Sequence, residues 1–412
     1  MPSKWQVEDG LGYVLEDATA RREGRLIRAS RHIICVVPDA IVIADGVDAL
    51  VCCINGEGRR RSMKRFFGVL LLIAAPILAE PLPVRGLHVS APLPGEIALA
   101  EKFIREVLPK EGVNVLVVEF NYRYQFTKRP EVADNDALSR DDVKRLVEAC
   151  RAAKVKLIPQ INMLGHQSWR EKTSSLLRAH PEFDETPGAY PDNKGLYCRS
   201  YCPLHPQVHE VVFDLMDELA EACEADAFHV GMDEVFLLGE DQCPRCRGRN
   251  KADLLAGEVR LLRDHLAKSN RTLWMWGDRF LDTPTTGMGK WEAAENGTAA
   301  ALQSVPKDIV IADWHYVTAH PTAPYFALQG FRVVSSPWRN ASVALRQLDM
   351  IRLARMNSSS AVAERMLGVL HTTWCGFGAF VRTYFGEQTD SVPALESVAT
   401  FKQLFAELRK QP

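Results

Sequence analysis

Eight short apolar runs, each followed by a helical or loop stretch, constrain this chain more than any other feature. They are Arg85–Ala91 (RGLHVSA), Val113–Phe120 (VNVLVVEF), Lys156–Leu164 (KLIPQINML), Ala227–Val235 (AFHVGMDEV), Thr272–Asp278 (TLWMWGD), Asp308–Tyr316 (DIVIADWHY), Phe331–Trp338 (FRVVSSPW) and Leu367–Trp374 (LGVLHTTW). The runs are nearly continuous rather than alternating, the mark of strands buried on both faces in a parallel sheet. Between them lie amphipathic stretches. One opens at Ser139, a residue suited to cap a helix, and places Val143, Leu146, Val147 and Cys150 on one face. Others run from Pro206 to Cys223, Lys251 to Ser269, Ala341 to Ala354 and Pro393 to Leu408, while Thr283 to Pro306 is only weakly helical. Eight strands alternating with helices predict an α/β chain folded as a single (β/α)8 TIM barrel. An open doubly wound sheet would usually bring a Gly-rich phosphate loop, and neither G-x-G-x-x-G nor a P-loop is present.

The first eighty residues read differently. Met63 to Ala79 (MKRFFGVLLLIAAPILA) has a basic start, an apolar run and a small residue before Glu80-Pro81, the pattern of a secretory signal peptide. The run falls short of the roughly 20 apolar residues of a transmembrane helix. The reading is therefore an upstream extension without a fixed fold over 1–62, a signal peptide over 63–79 and a catalytic barrel over 80–412. It implies export to the periplasm or the extracellular space, with no stable membrane insertion after cleavage. The alternative is a genuine N-terminal extension with an internal anchor. The 412 residues carry 47% hydrophobic content and a formal net charge of −2, so there is no basic excess of the kind nucleic acid attracts.

Barrel enzymes place their chemistry at the C-terminal ends of strands, and here those ends are loaded. Glu119 closes the second run, and His166 follows the third. Asp233 and Glu234 end the fourth, and Trp274, Trp276 and Asp278 lie in the fifth. Trp314, His315 and Tyr316 end the sixth, Trp338 the seventh and Trp374 the eighth. A single Asp-Glu pair is more often a solvated cap or surface ion pair than a site. Five of the eight tryptophans near strand ends are hard to assign to core alone, and aromatic walls with interspersed carboxylates suit the faces and rim of a sugar ring.

His229-Val230-Gly231-Met232-Asp233-Glu234 resembles the H-x-G-x-D-E motif of glycoside hydrolase family 20, the β-N-acetylhexosaminidases. Pro159 to His166 resembles that family's third-strand segment ending in Gly-His, and Arg85-Gly86-Leu87 its first-strand Arg-Gly-Leu. The resemblance covers most of 85–380 and is closest to a hexosaminidase D-like branch, with Ser90, Met232 and Trp374-Cys375-Gly376 as departures from the main family. It implies an exo-acting enzyme that removes terminal N-acetylhexosamine from glycans by substrate assistance, with no cofactor. Glu234 is then the general acid and base, and Asp233 holds the substrate acetamide. Arg85 is expected to bind sugar hydroxyls, and Glu119 and His166 to form a relay behind Glu234. Trp276, Asp278, Trp314, Tyr316 and Trp374 complete the expected substrate-binding set. A non-catalytic N-acetylhexosamine-binding barrel and a retaining glycosidase of other specificity are the alternatives.

Cysteines add a last expectation. Cys243-Pro244-Arg245-Cys246 follows the acidic strand, and Cys198 and Cys202 precede it. The two pairs are expected to meet above the barrel, either as a structural zinc site or as disulfides, with export favouring disulfides.

Overall fold

The computed structural model describes residues 81–410, together with the backbone of 26–29, 32–37, 40–45 and 48–53. The four short N-terminal stretches form an antiparallel sheet in chain order. The expected signal segment, 63–79, lies outside the described residues.

The second unit is a closed barrel of eight parallel strands: β1 (Val84–Ser90), β2 (Val115–Glu119), β3 (Lys156–Met163), β4 (Ala227–Gly231), β5 (Thr272–Trp276), β6 (Val310–Trp314), β7 (Arg332–Ser336) and β8 (Met366–Thr372). β8 pairs with β1 to close it, Val369 opposite Arg85 and Thr372 opposite His88. Helices α1 (Ile97–Glu106), α2 (Arg140–Ala153), α3 (Val208–Ala222), α4 (Lys251–Ala267), α5 (Thr322–Leu328), α6 (Ala341–Asn357), α7 (Phe377–Tyr384) and α8 (Val392–Arg409) surround it. No long helix follows β5; short turns at Thr283–Thr286 and Thr298–Gln303 take its place, as the Gly- and Ala-rich sequence there anticipates. Ser139 caps α2, its hydroxyl accepting the Asp142 N–H while the Asp142 carboxylate takes the Ser139 N–H.

Two apolar layers explain why the strands read as continuous runs. Alternate strand residues, among them Val115, Val117, Ile158, Trp274, Trp276, Ala312 and Leu370, fill the barrel interior. Their neighbours, such as Leu87, Val89, Leu116, Val118, Met275 and Ile311, pack against the helices. Most strands nevertheless stop earlier than their apolar runs: β4 ends at Gly231 and β5 at Trp276. The remaining apolar residues continue into the loops at the C-terminal mouth, where the polar groups gather. Among the described residues, no helix is long and apolar enough to cross a membrane.

Candidate active site

The acidic pair stands just beyond the end of β4, where the backbone leaves strand geometry. Gly231, Met232 and Glu234 all have positive φ, at 65°, 67° and 50°. A side chain at Gly231 would place its Cβ 2.1 Å from Asn162 Oδ1, so this position requires glycine. Met232 and Glu234 hold a conformation that costs an L-residue of their kind on the order of 1–3 kcal/mol. The result is geometric: along a strand, Asp233 and Glu234 would point to opposite faces, whereas here both carboxylates converge on one imidazole.

That imidazole is His166, itself at φ 55° just past β3. Its Nε2 lies 3.2 Å from Asp233 Oδ2 and 3.3 Å from Glu234 Oε2. Burial alone would depress the His166 pKa, but the charge of Asp233 and hydrogen bonding to both carboxylates raise it well above its ordinary value. Asp233 is 8% exposed, and its other oxygen, Oδ1, is buried with no hydrogen-bond partner.

Asp278, just past β5, buttresses the pair. Its Oδ2 accepts the Glu234 N–H at 2.9 Å and the Arg279 Nε–H at 2.6 Å, and its Oδ1 accepts the Trp314 Nε1–H at 3.2 Å. Arg279 is fully buried and also donates to the carbonyls of Lys290, Trp291 and Ala293. Burial raises the Asp278 pKa, Arg279 opposes this, and Asp233 adds to it. Both oxygens are thus engaged, so Asp278 positions Glu234 and Trp314.

Aromatic residues wall one side of the mouth. Trp314 stacks on Tyr316 with ring centroids 5.0 Å apart, the Tyr316 hydroxyl accepts the Trp374 Nε1–H at 2.5 Å, and Trp338 stands edge-on to Tyr316 at 5.3 Å. Trp314, Tyr316 and Trp338 border an open groove that also takes in Trp291, Glu292 and Arg339. Trp276 is wholly buried beneath, 5.6 Å from Trp374, with its Nε1–H unpartnered. Trp274 belongs to the barrel interior and not to the mouth.

Three further expectations change. Arg85 is the second residue of β1, so it sits at the N-terminal end of the barrel, opposite the acidic pair. Its guanidinium donates to the carbonyls of Leu82 and Gly112, both at 2.8 Å, and takes no part in the site. Glu119 does end β2 at the mouth, but its Oε1 accepts from Asn121 at 3.2 Å and Asn162 at 2.9 Å. Among the described residues no hydrogen bond joins it to His166, so the expected relay reduces to His166 with the acidic pair. Cys198 does not join the other cysteines; its thiol contacts the Glu234 carbonyl at 3.6 Å. Cys202, Cys243 and Cys246 do meet, with Glu185 as the fourth member of the group.

Sequence reasoning missed Tyr197, Phe236 and Trp291. Tyr197 faces His166 at 6.0 Å, and burial, the charge of Glu234 and a hydrogen bond to that carboxylate all push its hydroxyl pKa up. Trp291 packs edge-on against Tyr197 at 4.8 Å and Phe236 at 5.3 Å. All three come from loops, where no strand-end position flags them.

Residues 118–373 match the model of the glycosyl hydrolase family 20 catalytic domain, more than half the chain. The chain belongs to glycosyl hydrolase family 20. A β-hexosaminidase of Akkermansia muciniphila is 26% identical over 183 residues, which is 41% of this chain and 34% of that protein. A β-hexosaminidase of Porphyromonas gingivalis is 23% identical over 174 residues, 40% of this chain and 22% of that protein. The match thus spans 34% and 22% of these curated relatives. A solved β-N-acetylhexosaminidase superimposes with a TM-score of 0.58 at 16% identity, over 80% of this chain and 75% of the other. A chitobiase of Flavobacterium johnsoniae gives 0.56 at 17% identity, over 80% of this chain and 52% of the other. At these identities the superpositions establish the fold.

Proposed function

We propose that this family 20 chain is an exo-acting β-N-acetylhexosaminidase that retains configuration by substrate assistance. The observation that carries the reading is the division of labour at Asp233. One oxygen faces His166, and the other is buried and unpartnered. A sugar acetamide whose N–H reached Oδ1 would satisfy that orphaned acceptor, which a buried carboxylate otherwise leaves at a cost. The two carboxylates share one imidazole, so they lie side by side.

In the first step the acetamide carbonyl oxygen attacks C1 as Glu234 protonates the departing glycosidic oxygen. Asp233 holds the N–H and stabilises the positive charge that develops on the ring being formed. In the second step Glu234 removes a proton from water, the water oxygen bonds to C1, and the acetamide is restored. Tyr316, Trp314 and Trp374 wall the site. The enzyme is expected to act on terminal N-acetylhexosamine of glycans; one structural neighbour is an exo-β-N-acetylglucosaminidase of Vibrio harveyi in complex with N-acetylglucosamine. An N-acetylglucosamine thiazoline, which mimics the cyclised intermediate, should inhibit strongly. A glycosidase using Asp233 as a direct nucleophile would be inhibited only weakly, and a non-catalytic binder would hydrolyse no aryl N-acetylhexosaminide.

The proposal includes export. The basic-apolar-small pattern of 63–79 supports cleavage after Ala79. N-terminal sequencing of exported protein should find Glu80; a mature end well before it removes this part of the reading.

A further inference from the structure

Away from the carboxylates, the loops above β3 and β4 enclose a second cluster. Cys202 lies ahead of α3, Cys243 and Cys246 lie in the loop after β4, and Glu185 comes from the long excursion after β3. All four side chains are fully buried. Three sulfurs and one carboxylate oxygen lie within 4.8 Å of one another, and the Cys202 Sγ is 3.4 Å from both Cys243 Sγ and Cys246 Sγ.

Glu185 argues most strongly for a ligand. Its Oε1 accepts the Gly239 N–H at 2.7 Å and the Glu240 N–H at 3.3 Å, while Oε2 is buried without a hydrogen-bond partner. No Lys, Arg or His side chain hydrogen-bonds to it among the described residues. A carboxylate oxygen buried without any partner is costly. A disulfide does not solve this. Three thiols make one bridge at most, which leaves one thiol and the same bare oxygen in the cage. A divalent cation answers both needs. Three soft sulfurs and one oxygen in a compact group suit zinc, with Zn–S about 2.3 Å. A tetrahedron with that bond length sets sulfurs about 3.8 Å apart, close to the 3.4 Å that separates Cys202 Sγ from Cys243 Sγ and Cys246 Sγ. The Cys246 N–H already points at Cys243 Sγ at 3.4 Å, offsetting charge on a thiolate.

We propose that Cys202, Cys243, Cys246 and Glu185 form a closed, structural zinc site. All four positions are filled by protein, so the ion holds structure and has no place for substrate. It pins the loop after β4 to the excursion after β3. Those segments carry Phe236 and Tyr197, whose rings meet at 5.8 Å. The excursion also carries Cys198, which touches the Glu234 carbonyl. The ion therefore sets the surroundings of Glu234 from a distance.

The full chain, purified under reducing conditions without added metal or chelator, should hold one zinc per polypeptide. Exchange for cobalt(II) should give a thiolate-to-metal charge-transfer band and the intense visible bands of a tetrahedral site. Cys243→Ser and Glu185→Gln should each lower metal affinity and the thermal midpoint, and Cys198→Ser should keep the full equivalent of metal. Should Cys243→Ser fail to fold, the wild-type metal content, the cobalt spectrum and Cys198→Ser still decide. Metal-free protein whose thermal midpoint is unmoved by zinc or chelator would overturn the proposal. So would a disulfide between any two of the three cysteines found by mass spectrometry, or loss of metal on Cys198→Ser.

Discussion

Asp233→Asn tests the proposed role of the acetamide holder with little change of shape. Asparagine keeps an oxygen that accepts the substrate N–H, so the loss is chiefly one of charge. At an effective dielectric of about 20, a full unit charge about 3 Å away is worth about 5–6 kcal/mol. Roughly half a charge develops on the acetamide nitrogen in the transition state, so about 3 kcal/mol is at stake, or about two powers of ten in kcat. Asp233 is 8% exposed, which lowers the local dielectric and raises the upper limit to about four powers of ten. The assay is kcat on an aryl N-acetyl-β-glucosaminide, beside a thermal melt to show that the barrel is intact. Stability should change by no more than about 1–2 kcal/mol, since His166 keeps Glu234 as a partner. A second series sharpens the test: fluorination of the acetamide weakens its carbonyl nucleophile, so the wild-type rate should fall steeply along it. Near wild-type kcat in Asp233→Asn, or a wild-type rate indifferent to fluorination, would refute the reasoning.

Other outcomes follow from the same geometry. Gly231→Ala should cost about 2–4 kcal/mol of stability and disable the site, because the new methyl meets Asn162 and the positive φ is retained. A denaturant melt and the residual kcat check this. Arg85→Met should lower stability by about 1–3 kcal/mol through two lost charge-assisted bonds to carbonyls, with kcat/KM on the intact fraction unchanged. His166 titrates higher in the fold than in the unfolded chain. Its contribution to stability is therefore complete below its ordinary value of about 6.5 and is lost as pH rises through the folded value. Thermal melts across alkaline pH should show that decline in the wild type, flattened in His166→Gln.

The barrel was legible because a parallel strand, covered by helices outside and side chains inside, must be apolar at every position, as Leu116, Val117 and Val118 are. The location of the site was legible for the same reason: Asp233, Glu234 and His166 each fall where an apolar run gives out. Arg85 shows what a motif leaves unsaid. It lies five residues before Ser90, and at about 3.3 Å per residue that is about 16 Å down the strand from the mouth. Asp278 stands at the right end, but its partners, Arg279 and Trp314, fix it as a support. Only tertiary packing decides which carboxylates keep a free oxygen. Tyr197, Trp291 and Glu185 lie in long excursions with no periodicity, so nothing in their local sequence marks them. The cysteine spacing announced a cluster, but a fourth thiol, Cys198, stood in the sequence where the fold supplies a carboxylate.

The central claim is that Glu234 both delivers and later removes the proton, and Glu234→Gln measures it most directly. Glutamine keeps the volume and the backbone N–H bond to Asp278 but has no proton to transfer at working pH. Turnover of an aryl N-acetyl-β-glucosaminide should be abolished while the thiazoline still binds. Retention of near wild-type rates by that variant would contradict the account.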